Sequence, residues 1–74
     1  MSVNRYKPEE IRRIRKVLGW TLAELHQKCQ TVKFDVSEST IGNWDDGTTV
    51  PDADKLATLA GIFGVSIERF YEET

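Results

Sequence analysis

One histidine, His26, one cysteine, Cys29, and scattered carboxylates are the side chains along this sequence that could do catalytic or metal chemistry. They form no catalytic triad, and no glycine-rich phosphate loop accompanies them. One Cys and one His cannot fill a tetrahedral zinc site. The expectation is a protein that is not an enzyme and carries no cofactor or metal. A different chemistry is available in the run Val-Ser-Glu-Ser-Thr-Ile-Gly-Asn-Trp-Asp-Asp-Gly over residues 36–47. Ser37 is suited to cap a helix, and Ile41 and Trp44, three apart, turn inward on it. Glu38, Ser39, Gly42 and Asn43 are then left facing outward. Small polar side chains at the N-terminal end of a protruding helix are what reads base edges in a DNA major groove. Asn43 matches adenine bidentately, Ser39 reaches a base or a phosphate, and Glu38 accepts from cytosine N4. Gly42 lets the backbone lie close to the nucleic acid.

Such a helix has to be braced by others. Pro8, Glu9 and Glu10 suit a first helical turn. Ile11, Ile14 and Leu18 follow at helical spacing, and Gly19 provides a left-handed end. Thr21 and Glu24 form a capping-box pattern opening a second helix, whose apolar stripe is Leu22, Leu25 and Cys29. Gln30–Asp35 has no helical period, and the alternation of Val32 and Phe34 suggests an extended loop or a strand-like excursion. Ser37 opens the third helix and Gly47 ends it. Thr48–Pro51 forms a loop, because Pro51 disfavours helix at Val50. Asp52 caps a fourth helix with the stripe Leu56, Leu59, Ala60 and Phe63, ended by Gly64. Ser66 caps a short fifth helix holding Ile67, Phe70 and Tyr71. The expectation is an all-α fold of five short helices with no sheet and a frayed end at Glu72–Thr74.

At 74 residues the chain is one domain, spanning residues 1–74, with a limited core. It could equally be the N-terminal domain of something longer. A lone cysteine forms no internal disulfide, so a reducing, cytoplasmic setting is expected. No apolar run approaches the roughly 20 residues that span a bilayer, and the N-terminus lacks the apolar stretch of a signal peptide. The formal net charge is −2. Residues 1–33 hold eight Lys and Arg against three Glu, a net +5, and residues 34–74 hold two against nine acids, a net −7. This polarity fits a domain with one phosphate-facing side, and equally a domain half of which is simply basic. Arg12, Arg13 and Lys16 accordingly read either as a solvated face or as phosphate contacts. Trp20, Trp44 and Cys29 read as core, His26 as a packing or hydrogen-bonding residue, and Val32 and Phe34 as cover for the core.

Taken in order, three segments resemble the lambda-repressor-like (XRE, Cro/repressor type) helix-turn-helix family. They are I11-x-x-I14-R15-x-x-x-G19-W20-T21-L22-x-x-L25, then V36-S37-x-S39-T40-I41-x-N43-W44-D45-x-G47, then P51-x-x-x-x-L56-x-x-L59-A60-x-x-F63-G64-V65-S66. The resemblance covers roughly residues 8–71, with a helix-turn-helix core at about 21–46 and a recognition helix at 38–45. It implies a five-helix domain that binds double-stranded operator DNA, usually as a homodimer, in a prokaryotic or phage transcriptional repressor. Base contacts would fall to Glu38, Ser39, Thr40, Gly42 and Asn43. Phosphate contacts would fall to Thr21, Leu22, Lys33, Ser37, Thr48 and Thr49. Arg15 would pair structurally with Asp45, tying helix one to helix three. Neither a membrane nor a small-molecule substrate is implied.

Three departures from that pattern stand out. Leu22 occupies a position where the family often has Gln. His26 replaces a small residue, and Gln30 replaces the turn glycine. About five extra residues, Thr31–Asp35, rule out a tight turn; they either lengthen helix two or make a loop that touches DNA through Lys33. Together with the acidic balance, these departures motivate a rival reading: an antitoxin-like or accessory protein-interaction module that kept the fold and lost DNA binding.

Overall fold

In the computed structural model, which describes residues 4–73, the chain runs as β1 (Asn4–Tyr6), α1 (Glu10–Leu18), α2 (Leu22–Thr31), α3 (Glu38–Asp45), α4 (Ala53–Phe63), a 3-10 turn (Ile67–Phe70) and β2 (Tyr71–Glu73). Local side chains set most of these boundaries. At the start of α2 the Thr21 hydroxyl accepts from the Glu24 amide at 3.1 Å, and the Glu24 carboxylate accepts from the Thr21 amide at 2.8 Å. Both halves of the capping box are therefore present. Ser37 caps α3 by accepting from the Thr40 amide, and Asp52 caps α4 by accepting from the Lys55 amide. Gly19 and Gly64 end α1 and α4 in the left-handed region, both at φ 76°, where a side chain would clash with its own backbone.

The two ends of the chain depart from the expected all-helical pattern. Pro8 and Glu9 form a turn, and α1 begins only at Glu10. The expected fifth helix is a four-residue 3-10 turn, capped by Ser66. Tyr71 leaves that turn in an extended conformation and opens β2, which pairs antiparallel with β1 in the register Asn4↔Glu73, Arg5↔Glu72, Tyr6↔Tyr71. Continued helix would swing Tyr71 away from Tyr6, whereas the ribbon sets their rings edge to face at 6.1 Å. Arg5 and Glu72 stand opposite each other as a charge-complementary cross-strand pair. The segment expected to fray is thus paired through Glu73, and Thr74 lies outside the described residues.

One hydrophobic cluster holds these elements together. α1 contributes Ile11 and Ile14, α2 Leu25 and Cys29, α3 Ile41 and Trp44, and α4 Leu56, Leu59, Ala60 and Phe63; Phe70 closes it from the 3-10 turn. The apolar residues at helical spacing in the sequence are the ones that face inward. Trp20 is half-buried and stacks on Phe63 at 5.9 Å, with the Lys28 ammonium 4.6 Å from its ring centre. Phe34 covers the core by stacking on Trp44, but Val32, expected to do the same, is exposed. Among the described residues, no helix is long and apolar enough to cross a membrane.

Candidate nucleic-acid interface

α3 is eight residues long, too short to be stable alone, so its position depends on what grips it. Its inward side buries Ile41, Trp44 and Asp45. Asp45 is 2% exposed and is met from α1 by two arginines. Arg15 donates from Nε at 2.8 Å and from Nη2 at 3.2 Å, and Arg12 donates from Nε at 2.8 Å. Arg15 also donates from Nη1 to the Trp20 carbonyl at 2.7 Å, which fixes the α1–α2 corner to the same cluster. Burial alone would push the Asp45 carboxyl up, but the hydrogen bonds from Arg15 and Arg12 outweigh it and hold the pKa below the usual carboxylate range. The Arg15–Asp45 pair is present as anticipated. Arg12 is a second arginine on Asp45, and its place three residues before Arg15, on the same helix face, is the signal for it in the sequence.

The connection between α2 and α3 is the part the sequence left open between a longer helix and a loop, and it contains both. α2 runs on to Thr31, one residue into the inserted stretch, and Val32 follows as its cap. Lys33 then turns the chain in the left-handed region at φ 61°. The Lys33 amide donates to the Gln30 carbonyl at 3.0 Å and the Phe34 amide to the Cys29 carbonyl at 2.8 Å. His26 Nε2 lies 3.0 Å from the Val36 carbonyl, the distance at which it donates to it. Phe34 stacks on Trp44 from α3 at 6.2 Å. The segment is therefore bound to α2 by hydrogen bonds and to α3 by ring packing. It walls a groove of about 450 Å³ with Lys33 and Ser37 on its edge.

The residues expected to read bases divide into two groups. Glu38, Ser39 and Asn43 are exposed, Ser39 and Asn43 on one face of α3 and Glu38 at its first turn. Thr40 and Gly42 are half-buried. The Thr40 hydroxyl lies 2.9 Å from that of Ser37, in hydrogen-bonding contact. A side-chain carbon on Gly42 would meet only Leu22, at 4.0 Å, an ordinary contact distance, so the packing of α3 on α2 does not itself demand glycine here.

The residues expected at phosphates are similarly mixed. Thr21 and Lys33 are exposed, and Leu22 is half-buried against the core, leaving its backbone rather than its side chain at the start of α2. The Ser37 hydroxyl is occupied in capping α3. The Thr48 and Thr49 amides donate to the Asn43 carbonyl at 2.9 and 3.2 Å, and Asp46 accepts from both the amide and the hydroxyl of Thr48. That Asx-type turn accounts for Asp46, which has no evident role in the sequence. These hydrogen bonds from Thr48 lower the Asp46 pKa.

Charge is distributed differently in space than along the chain. α3 carries no Lys or Arg, and Glu38 and Asp46 are exposed at its two ends. Basic groups flank it instead: Lys33 precedes its N-terminus, and Arg12 reaches its C-terminal end with Lys16 one turn further along α1. In the basic first half, Arg12 and Arg15 are bonded to Asp45, and Lys7 and Arg13 lie within 4 Å of the buried Glu10. No family model, curated protein or solved structure matches this chain.

Proposed function

We propose that this protein binds double-stranded DNA with sequence preference, laying α3 in the major groove as the second helix of a helix-turn-helix, and acts as a transcriptional regulator of the lambda-repressor-like type. The observation that carries this reading is the two-sided character of α3. Ile41, Trp44 and Asp45 lock one side into the core, while Ser39 and Asn43, four apart, stand exposed in a row on the other and Glu38 is exposed in the first turn. A rigidly held helix presenting short polar side chains is what base readout requires. The exposed start of α2 and Lys33 flank that row, where phosphates would pass. On this reading a homodimer places two copies of α3 about 34–36 Å apart, one helical turn of DNA.

Selection of binding sites from random duplexes, followed by mobility-shift titration at several salt concentrations, tests it. A recurrent sequence should emerge, and its affinity should fall steeply with salt. Asn43→Ala should cost on the order of 1–3 kcal/mol and relax preference at one base position. The Thr48 and Thr49 amides bond to the main-chain carbonyl of Asn43, which that variant keeps. Equal binding of selected and random duplexes, or none at low salt, would sink the proposal.

A second reading is favoured by one specific observation: α3 carries no cation and exposes Glu38 and Asp46, an unfavourable sign toward phosphates. A fold that kept its helices but turned to a protein partner would look this way. The variant Asp46→Asn, which keeps an acceptor for Thr48 and leaves the base-reading residues untouched, separates the two. It should tighten duplex binding if α3 meets DNA, and leave duplex binding absent if it does not.

A further inference from the structure

We infer that the face of the molecule formed by the second half of α1 and the segment after α4 is a docking site for a protein partner presenting an apolar side chain next to carboxylates. The groove there has a volume of about 150 Å³. Small-molecule pockets run to roughly 300–1,000 Å³, so this one is sized for a single anchoring side chain. Its floor is Ile14, Phe63 and Val65, and its wall is Val17 and Leu18. Val17 is 81% exposed and Leu18 41%, two adjacent large apolar residues left in water at the end of a helix. Isolated exposed apolar residues need no explanation, but a contiguous set lining a concavity is characteristic of interaction sites.

The rim identifies the occupant. Arg13 and Arg69 stand at the groove edge, each more than half exposed. Both are near one carboxylate, Glu10, at 3.6 and 3.8 Å, which is too long for a hydrogen bond. Glu10 is itself 2% exposed and is shared with Lys7 at 3.8 Å. Three cations thus surround one buried carboxylate, an excess of positive charge beside an apolar groove. A carboxylate from outside would give each guanidinium a charge-assisted, bidentate partner, while an adjacent leucine-like side chain fills the groove. A nucleic-acid backbone would satisfy the arginines but leave Val17 and Leu18 against a charged strand. A two-fold-related second copy would bring the same arginines face to face. An acidic, apolar segment of another protein satisfies both features. The site is independent of the proposed DNA contact: Arg12 and Arg15 turn toward α3, whereas Arg13 and Val17, four apart, share a different face of α1.

The test is selection of displayed random 12-residue peptides on the full chain, with depletion against Val17→Asp, a fully surface change that keeps the Glu10 cluster intact. Enriched peptides should carry Asp or Glu beside Leu, Ile or Phe. A synthetic peptide of the enriched sequence should perturb the backbone amide signals of Val17, Leu18 and Val65. Its affinity should fall at least tenfold with Arg13→Gln and with Arg69→Gln, while duplex binding by all three variants stays at the level of the parent chain. The inference is overturned if nothing enriches over Val17→Asp. It is equally overturned if the peptides are indifferent to both arginines or map elsewhere. Sedimentation showing a dimer that Val17→Asp dissolves would assign the groove to a second copy and also overturn it.

Discussion

Asp45 joins the most consequential polar interactions to the least solvent. Its carboxylate accepts three hydrogen bonds from Arg15 and Arg12 while almost fully buried. Removing it strands Arg15, whose side chain is only 12% exposed, with no counter-charge. Asp45→Ala is expected to cost about 3–5 kcal/mol in urea unfolding at pH 7, the usual penalty for breaking a buried pair from one side. Arg12→Ala should cost less, because Arg12 is half exposed and Arg15 still holds Asp45. The reverse order would show that the pair does not tie α1 to α3. The folded-state pKa of Asp45 is depressed, so its contribution is present above the unfolded value of about 3.9 and is lost as pH falls through the folded value. The gap between Asp45→Ala and the parent chain should therefore narrow on acidification below about pH 4. Tyr6 presents the opposite case. Its hydroxyl is buried with no hydrogen-bond partner among the described residues, and burial, with Tyr71 and Glu9 nearby, pushes its pKa up to about 12. An unfolded tyrosine ionises near 10, so this raised pKa makes stability fall as pH climbs from about 10 towards 12. Tyr6→Phe should be neutral or stabilising at pH 7 and should flatten that alkaline loss, read from unfolding curves at pH 9–12.

At the scale of elements, what was legible in the sequence was whatever local chemistry decides. Thr21 with Glu24, Ser37, Asp52, Gly19 and Gly64 mark helix ends through groups within a few residues of themselves, and each does so in the fold. Ile41 and Trp44 were assignable to the inside of α3 by spacing alone, which in turn left Ser39 and Asn43 outside. What was not legible depended on distant partners. Phe34 stacks on Trp44, ten residues away, and β1 pairs with β2 from the far end of the chain, where Tyr6 meets Tyr71. The α2–α3 connection falls between these cases, since its composition excluded a tight turn without saying how the chain would reverse. Lys33 supplies the reversal at a positive φ that costs a side-chain-bearing residue roughly 1–2 kcal/mol. Lys33→Gly is thus expected to be neutral to stabilising by up to about 1 kcal/mol, part of the gain being offset by the greater freedom of unfolded glycine. Lys33→Ile, β-branched, should be destabilising. Chemical denaturation of both variants checks this, and the opposite ranking would mean that the left-handed turn at Lys33 is not what joins α2 to α3.

For the molecule as a whole, a chain of this length is stabilised by only about 4–11 kcal/mol, so small peripheral elements matter. β1 and β2 are three residues each, and a ribbon that short is not stable in isolation. It exists because the core lies directly beneath it. Phe70 is fully buried just before β2, the Lys7 amide donates to the Phe70 carbonyl at 2.8 Å, and Tyr6 and Tyr71 both pack against the hydrophobic cluster. The ribbon in turn closes the end of α1 where Glu10 is buried, joining the first and last described segments of the chain across the helical layer. Burying an aromatic side chain contributes about 1.5–3 kcal/mol, and Tyr6 is only partly buried. A chain beginning at Lys7 should therefore lose about 1–2 kcal/mol, lowering Tm by roughly 4–16 °C at the 4–8 °C per kcal/mol typical of such domains. Its helical far-UV signal at low temperature should be retained, because the residues that join α1, α2, α3 and α4 are all kept. If Tm is unchanged, the ribbon is decoration on a self-sufficient helical core. If helicity collapses at low temperature, the four helices depend on the ribbon for assembly, and the separation between a helical core and its peripheral clasp is wrong.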